Sequence, residues 1–276
     1  MLDYDKEAGA YDATRGGEAR AAAAADAVLT LIPDSSGGSG SPGGSDSPGG
    51  SDRPDCDGGP ARPARLLDLA CGTGIVTRRL AAARPALRVT GADRAPGMAR
   101  MAAARLPGSV LLADSRRLPF ADAAFDAVTT VWLLHLIADT AEVRAIVAEC
   151  ARVLRPGGVY VTTVDKAAAH DVGSDIDAVL AARPRRPASD ASADVSAHAL
   201  ASGLLPAGKA AFTGVGQGRS PRSTLADLRR GWFTMLPPDD PRVEGFAERL
   251  AALPDQDRRR PDPRFGVRAY RKPVAD

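Results

Sequence analysis

"LLDLACGTGIV", residues 66–76, begins as an apolar run of strand character, passes two glycines spaced by one residue, Gly72 and Gly74, and continues with residues of helical character. Glycines at such a turn let the backbone bend tightly and approach a ligand closely, and the helix start that follows offers unpaired N–H groups. The dinucleotide fingerprint asks for a third glycine within a βαβ unit, and Thr77 stands at that place. Asp68 lies two residues before Ala70, at the end of the strand, where a carboxylate repels a pyrophosphate and attracts a cationic amine. The stretch therefore points to an adenosine-bearing ligand with a positive end.

Outward from this turn the chain alternates apolar runs with helical ones: "RLLDLA", "IVTRRLAAA", "RVTGAD", "PGMARMAAAR", "SVLLAD", "FDAVTTVWLL", "AEVRAIVAECARVL" and "GVYVTTV". Such alternation predicts βαβ units and a mostly parallel sheet covered on both faces, an α/β doubly wound fold. "RPGG" (155–158) reads as a turn, with Gly157 suited to a left-handed conformation. Helical pieces follow over 166–208, then a strand "KAAFTGVGQ" (209–217), two helical stretches at about 223–236 and 241–252, and a last strand "RFGVRAYR" (264–271). On the N-terminal side, "GEARAAAAADAVLTLI" (17–32) predicts a helix that Pro33 stops. The glycine, serine and proline repeats of 34–60 cannot bury enough apolar surface to order themselves and read as a disordered low-complexity loop. The expected organisation is thus an N-terminal element over 1–33, that loop, and one domain over 61–276.

Composition narrows the class. A chain of 276 residues that is 44% hydrophobic can build a sizeable core. A formal net charge of +2 spread along the chain marks out no nucleic-acid or membrane surface, and the basic runs "RPRRP" (183–187) and "DRRRPDPR" (257–264) sit among prolines as solvated loops. Cys56, Cys71 and Cys150 show no zinc spacing and leave an odd number for pairing, which fits a reduced, cytoplasmic setting without a metal. The opening "MLDYDKEAGAYD" lacks the apolar core of a signal peptide, and "VWLLHLIA" is far shorter than the roughly 20 residues of a spanning helix. The richness in alanine, arginine, glycine and proline suggests a bacterial gene of high GC content.

In a doubly wound sheet the ligand lies beyond the carboxyl ends of the strands. Asp68 ends the first strand. Asp93 ends the second, where a carboxylate can accept from both hydroxyls of a ribose, and Asp114 ends the third, within reach of an adenine amino group. A fourth strand delivers Trp132 and then His135 to the same rim.

The motifs "LLDLACGTG", "GADRAPGMA", "ADSRRLPFADAAFDAV", "LLHLIAD" and "RVLRPGGVYVTT" occur in family order, and over about 66–164 the chain resembles the class I S-adenosylmethionine-dependent methyltransferases of the type 11/25 group. The resemblance implies a seven-stranded Rossmann-like sheet and S-adenosyl-L-methionine as cofactor. It implies that Ala70, Cys71, Gly72 and Gly74 pass around the methionine part with Asp68 near its amino group, and that Asp93 holds the ribose. Arg94 and Met98 would border the adenine, Asp114 and Ser115 would read its edge, and Trp132 would complete the pocket. Ala70 stands where the family often has glycine. The segment "YDATRGG" (11–17) is similar to a cofactor cap, with Tyr11 and Arg15 facing the site, although its helix also reads as a plain packing element; Tyr4 faces substrate or solvent. The stretches 166–208 and 223–252 would form a helical lid over a small methyl acceptor.

The resemblance also disfavours some acceptors. Amino-nucleobase methylases of this fold carry an Asn/Asp-Pro-Pro-aromatic turn where this chain has "TTVW", and protein arginine methylases place two glutamates where none occurs from Thr129 to Leu136. A small, partly apolar acceptor remains, with His135 as candidate base. His170 falls in the lid stretch, His198 on a helix, and "FTGVGQG" (212–218) reads as a strand-to-helix turn. Two rival readings stay open at this point: a nicotinamide-dependent oxidoreductase, and a module that holds the cofactor without catalysis.

Overall fold

The structure is a computed structural model that describes residues 12, 16–33, 63–185, 187–231, 235–237 and 239–274. Tyr4, Tyr11, Arg15, Cys56 and the low-complexity stretch lie outside the described residues.

In chain order the elements are α1 (Gly17–Leu29), β1 (Arg65–Leu69), α2 (Ile75–Ala83), β2 (Arg88–Asp93), α3 (Pro96–Arg105), β3 (Val110–Leu112) and β4 (Phe125–Thr130). There follow α4 (Thr140–Val153), β5 (Leu154–Val164), α5 (Lys166–Ala169), α6 (Asp175–Leu180), α7 (Ser192–Ala201), β6 (Leu205–Thr213), α8 (Pro221–Arg229), α9 (Pro241–Ala251) and β7 (Arg264–Arg271). Local chemistry sets the helix starts. Asp139 caps α4 by accepting the Ala141 N–H at 2.8 Å, Ser174 and Asp177 form a reciprocal capping box on α6, and proline opens α3, α8 and α9.

All seven strands join one sheet in the order β3-β2-β1-β4-β5-β7-β6. The pairs from β3 to β5 are parallel, and β7 inserts antiparallel to both β5 and β6. This is the doubly wound, mostly parallel sheet that the alternation predicts. Because the strand period is two, alternate residues feed two cores. Leu66, Ala127, Val159 and Val161 face α1 and α2, and share one apolar cluster with Ala24, Val28, Leu80, Phe212 and Phe265. Leu67, Leu69, Val128 and Tyr160 face the other way, against Val143, Ile146, Val147 and Cys150 of α4 and Val195 of α7. Each such fully buried aliphatic side chain stabilises the fold by about 1.5–3 kcal/mol.

Four boundaries differ from the sequence reading. The strand expected over 209–217 runs instead over Leu205–Thr213, because the chain turns at Gly214, where Asp262 accepts the N–H of Gly216 at 3.1 Å and of Gly218 at 2.5 Å. The helix expected to reach 236 ends at Arg229, followed by Gly231 in the left-handed region. β3 stops at Leu112, so Asp114 lies two residues past it. In β5 a bulge separates Leu154, paired with Phe125, from Val159, paired with Ala127, and Gly157 takes φ 79° within it.

Helix α1 lies on the sheet through a seam of alanines, Ala21, Ala24 and Ala25, whose small side chains let it come close. Polar ties reinforce the placement. Glu18 pairs with Arg78 and Arg79 of α2, and Arg84 donates to the carbonyls of Leu29 and Ile32 at 2.7 and 2.8 Å, capping the helix end. A third apolar cluster, with Ile176, Leu180, Leu228, Val243, Phe246 and Leu250, joins α6, α8 and α9. These helices all leave the sheet from the end at which β1, β2, β4 and β5 finish.

Candidate functional site at the strand ends

Three of the five non-glycine residues with positive φ among the described residues lie at the finishing ends of the parallel strands, the other two being Ala123 and Asp255. Ala70 after β1, Trp132 after β4 and Asp165 after β5 all have positive φ, at 53°, 59° and 54°. Non-glycine residues in this region cost about 1–2 kcal/mol each, and strain of this kind collects at functional sites.

The glycine turn is built around Asp93. One carboxylate oxygen accepts the Gly72 N–H and the other the Ala95 N–H, each at 2.8 Å, so one side chain ties the β1 turn to the β2 turn. Gly72 has φ 57°, and a side chain there would meet nothing within 4 Å, so the space over the turn is open. Gly74, at φ 77°, is glycine for a different reason: a Cβ would come within 2.9 Å of the Cα and Cβ of Ala102 on α3. Cys71, beside it, is a buried free thiol that burial pushes well above the ordinary thiol range.

Asp68 is 2% exposed and accepts the Thr77 hydroxyl at 2.6 Å. Burial pushes its carboxyl up to about 7; the Thr77 bond opposes the shift and the nearby Asp93 adds to it. A buried carboxyl poised in this way gains most from a cationic partner. Thr77 thus has a use for its hydroxyl at the place where a dinucleotide site needs glycine. Sequence reasoning placed Asp68 but gave Thr77 only the role of a missing glycine.

Three further residues, Thr73 of the turn with Asp12 and Arg105, escaped the sequence reading. Asp12 accepts the Thr73 hydroxyl at 2.6 Å and pairs with Arg105 at 2.6 Å, while Arg105 also donates to the Thr73 carbonyl at 2.7 Å. Asp12 is therefore tied to the glycine turn, separated from its partners by 61 and 93 residues, a range at which no local pattern exists.

The other expected residues are distributed around this centre. Met98 is buried under the first turn of α3 and Arg94 is exposed at the rim. Asp114 is engaged by Arg116 through Nε at 3.0 Å and Nη2 at 2.6 Å, which holds its carboxyl below the usual range, and Ser115 is half-buried beside it. Arg116 extends the chain to Glu142 at 2.8 Å. Trp132 donates its backbone N–H to the Thr163 hydroxyl at 2.7 Å, and its ring lies edge-on to Phe212 and Phe265 with the Arg20 guanidinium 4.0 Å above it. The indole packs against the apolar cluster on the sheet face shared with α1.

At the ends of β4 and β5, His135 Nε2 and Lys166 Nζ are 2.7 Å apart. Segment 189–192 secures both sides: Ser189 donates to the Leu134 carbonyl at 2.9 Å, Asp190 accepts the Lys166 N–H at 2.9 Å, and Asp165 accepts the Ser192 N–H at 2.9 Å. His170 lies edge-on to Phe265 with its carbonyl bound by Arg219, and His198 is on α7. Among the described residues no helix is long and apolar enough to cross a membrane, and no group of three or more metal-ligating side chains occurs.

The sequence pattern of the methyltransferase domain family matches residues 67–162. The demethylmenaquinone methyltransferase of Thermotoga maritima is 39% identical over 97 residues, which are 35% of this chain and 41% of that one. The malonyl-[acyl-carrier protein] O-methyltransferase of Geobacter sulfurreducens is 39% identical over 95 residues, 32% of this chain and 36% of the relative. The chain spans about two fifths of the length of such relatives. A chain from the solved complex between the Haloferax volcanii Trm112 methyltransferase activator and a methyltransferase superposes with a TM-score of 0.57 at 18% identity, covering 99% of both chains, a likeness of fold.

Proposed function

We propose, from the match of residues 67–162 to the methyltransferase domain family, that the protein is a class I S-adenosylmethionine-dependent methyltransferase of the type 11 group and transfers a methyl group from S-adenosyl-L-methionine to a small-molecule acceptor. One observation carries the reading: between the ends of β1 and β2, the open space over Gly72 lies beside two carboxylates of different character, Asp93 bound to backbone N–H groups and Asp68 buried and short of positive charge. These residues fit the cofactor. Asp68 faces an ammonium, Asp93 has acceptor capacity left for ribose hydroxyls, and Ala70 to Gly74 wrap the chain between them. Arg94, Met98, Asp114 and Ser115 flank the adenine. The nicotinamide reading loses support at Thr77, whose hydroxyl is committed to Asp68.

The bound cofactor supplies a methyl group on a positively charged sulfur, already activated for displacement. The protein's task is alignment, and positioning of this kind supplies ~7–11 kcal/mol of a barrier. α6, α8 and α9, with their own apolar cluster, serve as the lid that excludes water, and the unit 61–276 folds around the sheet with α1 packed on it. The acceptor is small and partly apolar, and the setting is the cytoplasm.

Calorimetric titration with S-adenosylhomocysteine, with NAD as control, tests the reading. Micromolar binding by the wild type that is lost in Asp93→Ala supports it. Binding of NAD in preference, or of neither ligand, overturns it.

A further inference from the structure

The loop between β3 and β4 is held against α4 by charged side chains, and Arg116 links that clamp to the strand ends. Glu142, Glu149 and Arg152 lie along one side of α4 at helical spacing. Glu142 accepts from Arg116 Nη1 at 2.8 Å, Glu149 accepts the Leu118 N–H at 2.8 Å, and Arg152 donates to the Phe120 carbonyl at 2.8 Å and to Asp122 at 2.7 Å. At the start of the loop the Ala113 N–H donates to the Asp93 carbonyl at 3.0 Å, so Asp114 directly follows a tie to the end of β2. Arg116 spans the two. From its anchor on Glu142 it reaches back to Asp114, with Nε 3.0 Å from Oδ1 and Nη2 2.6 Å from Oδ2, and its backbone N–H donates to Oδ1 at 2.9 Å.

A guanidinium is planar, always charged and without an acceptor, so in this pair Arg116 donates, Asp114 accepts, and the fork fixes the plane of the carboxylate. An ionised carboxylate offers about four acceptor positions. The backbone N–H and the Nε–H of Arg116 fill those of Oδ1, the latter shared with Oδ2 at 3.1 Å, and Nη2 fills one of Oδ2. A single position on Oδ2 remains. Arg116 first, and also Arg94 beside the end of β2, hold the Asp114 carboxyl below its usual range, which keeps it an acceptor. Both side chains of the pair are 42% exposed, and pairs so exposed add little to stability. What the fork determines is the direction of the one lone pair left over.

We propose that Arg116 is the positioning residue for the base of the cofactor: it turns Asp114 so that the remaining acceptor meets one N–H of the adenine amino group, and so makes the site prefer an aminopurine to a purine without that group. This rests on the methyltransferase reading above and on the place it gives Asp114 beside the adenine. Orientation is the essential quantity, because a hydrogen bond weakens steeply as it bends and a carboxylate released from its fork turns toward water. A lysine at position 116 would keep the charge but, as a compact ammonium, would lose the fork.

Calorimetric titration compares S-adenosylhomocysteine with its analogue in which the adenine is replaced by unsubstituted purine. The wild type is expected to bind S-adenosylhomocysteine about tenfold more tightly than the analogue, the effect of one hydrogen bond to a charged acceptor. Asp114→Ala and Arg116→Gln each bring the ratio to about threefold or less, and Arg116→Lys does the same because the fork, not the charge, sets the direction. Affinity for the analogue stays within about twofold in every variant, since an exposed pair contributes little to the fold. That constancy shows that the variants fold and hold the rest of the cofactor, and a contact that merely supports the structure would instead weaken both ligands together. A ratio that is unchanged in Arg116→Gln, or preserved in Arg116→Lys, overturns this inference while leaving the methyltransferase reading in place. A ratio that is unchanged in Asp114→Ala removes Asp114 from the adenine and the inference with it. A protein that binds neither ligand overturns the methyltransferase reading beneath it.

Discussion

With Asp68 facing the cofactor's ammonium, as proposed, cofactor affinity depends on pH in a direction that can be worked out beforehand. Its carboxyl is raised from 3.8 to about 7, mainly by burial, so the free protein carries a proton there over the acidic range up to about pH 7. A ligand ammonium interacts favourably with the ionised form alone, and binding must expel that proton. At pH 7.5 about three quarters of the molecules are ionised at Asp68, and at pH 5.5 about 3%, so affinity for S-adenosylhomocysteine is expected to fall about 25-fold over that interval, or ~2 kcal/mol. Calorimetry in two buffers of different ionisation enthalpy would measure both the affinity and the proton released. Asp68→Asn removes the titration and should flatten the profile, with weaker binding at pH 7.5 and little difference at pH 5.5. The same shift has a consequence for stability. The folded state holds a proton at Asp68 that the unfolded chain gives up near 3.8, so this group's contribution is fully present below that value and is lost as pH rises toward 7 and beyond. An affinity that varies less than about threefold, or an unchanged slope in Asp68→Asn, would refute the reasoning.

Other consequences are as direct. Thr77→Val removes the 2.6 Å bond that favours the ionised carboxylate, so the affinity profile should move to higher pH; a shift to lower pH would contradict the assignment. Ala70→Gly relieves φ 53° and should change stability in urea by no more than about +1 kcal/mol, the relief being partly offset by the freedom glycine adds to the unfolded chain, whereas a clear loss would mean that the methyl group packs usefully. Gly74→Ala places a Cβ 2.9 Å from the α3 backbone at φ 77° and should cost about 2–4 kcal/mol in the same assay; a neutral outcome would show that α3 yields easily. Thr163→Val leaves the Trp132 N–H without its acceptor at 2.7 Å and should cost about 1–3 kcal/mol, read by thermal unfolding. Asp12→Ala should weaken S-adenosylhomocysteine binding several-fold without altering the melting temperature by more than a few degrees, and an unchanged affinity would remove Asp12 from the site.

Much of the architecture can be read along the chain because its causes are local. Alternating runs of strand and helix periodicity, with Gly72 and Gly74 between the first two, lead to the parallel half of the sheet, and the last strand is found at Arg264–Arg271 as read. Asp68 and Asp93 are legible for the same reason: each ends an apolar run, and strand ends are where such sheets bind ligands. Asp12, Thr73 and Arg105 are not legible, since their bonds join residues brought together only when α1 and α3 pack on either side of the turn. Trp132 shows the limit clearly: the sequence brings it to the end of β4, but a positive φ and a bond from its N–H to Thr163 on the neighbouring strand send its ring into the core beside Phe212 and Phe265. His135 and Lys166 are 31 residues apart and meet because β4 and β5 are neighbours in a parallel sheet. By itself, then, the sequence determined the element order, the fold class and the strand-end carboxylates, all of which follow from periodicity and turn chemistry within a few residues. The tertiary structure alone decided the insertion of β7 between β5 and β6, the charge state of Asp68 and the pairing of His135 with Lys166, because each depends on burial and on partners that sequence distance conceals.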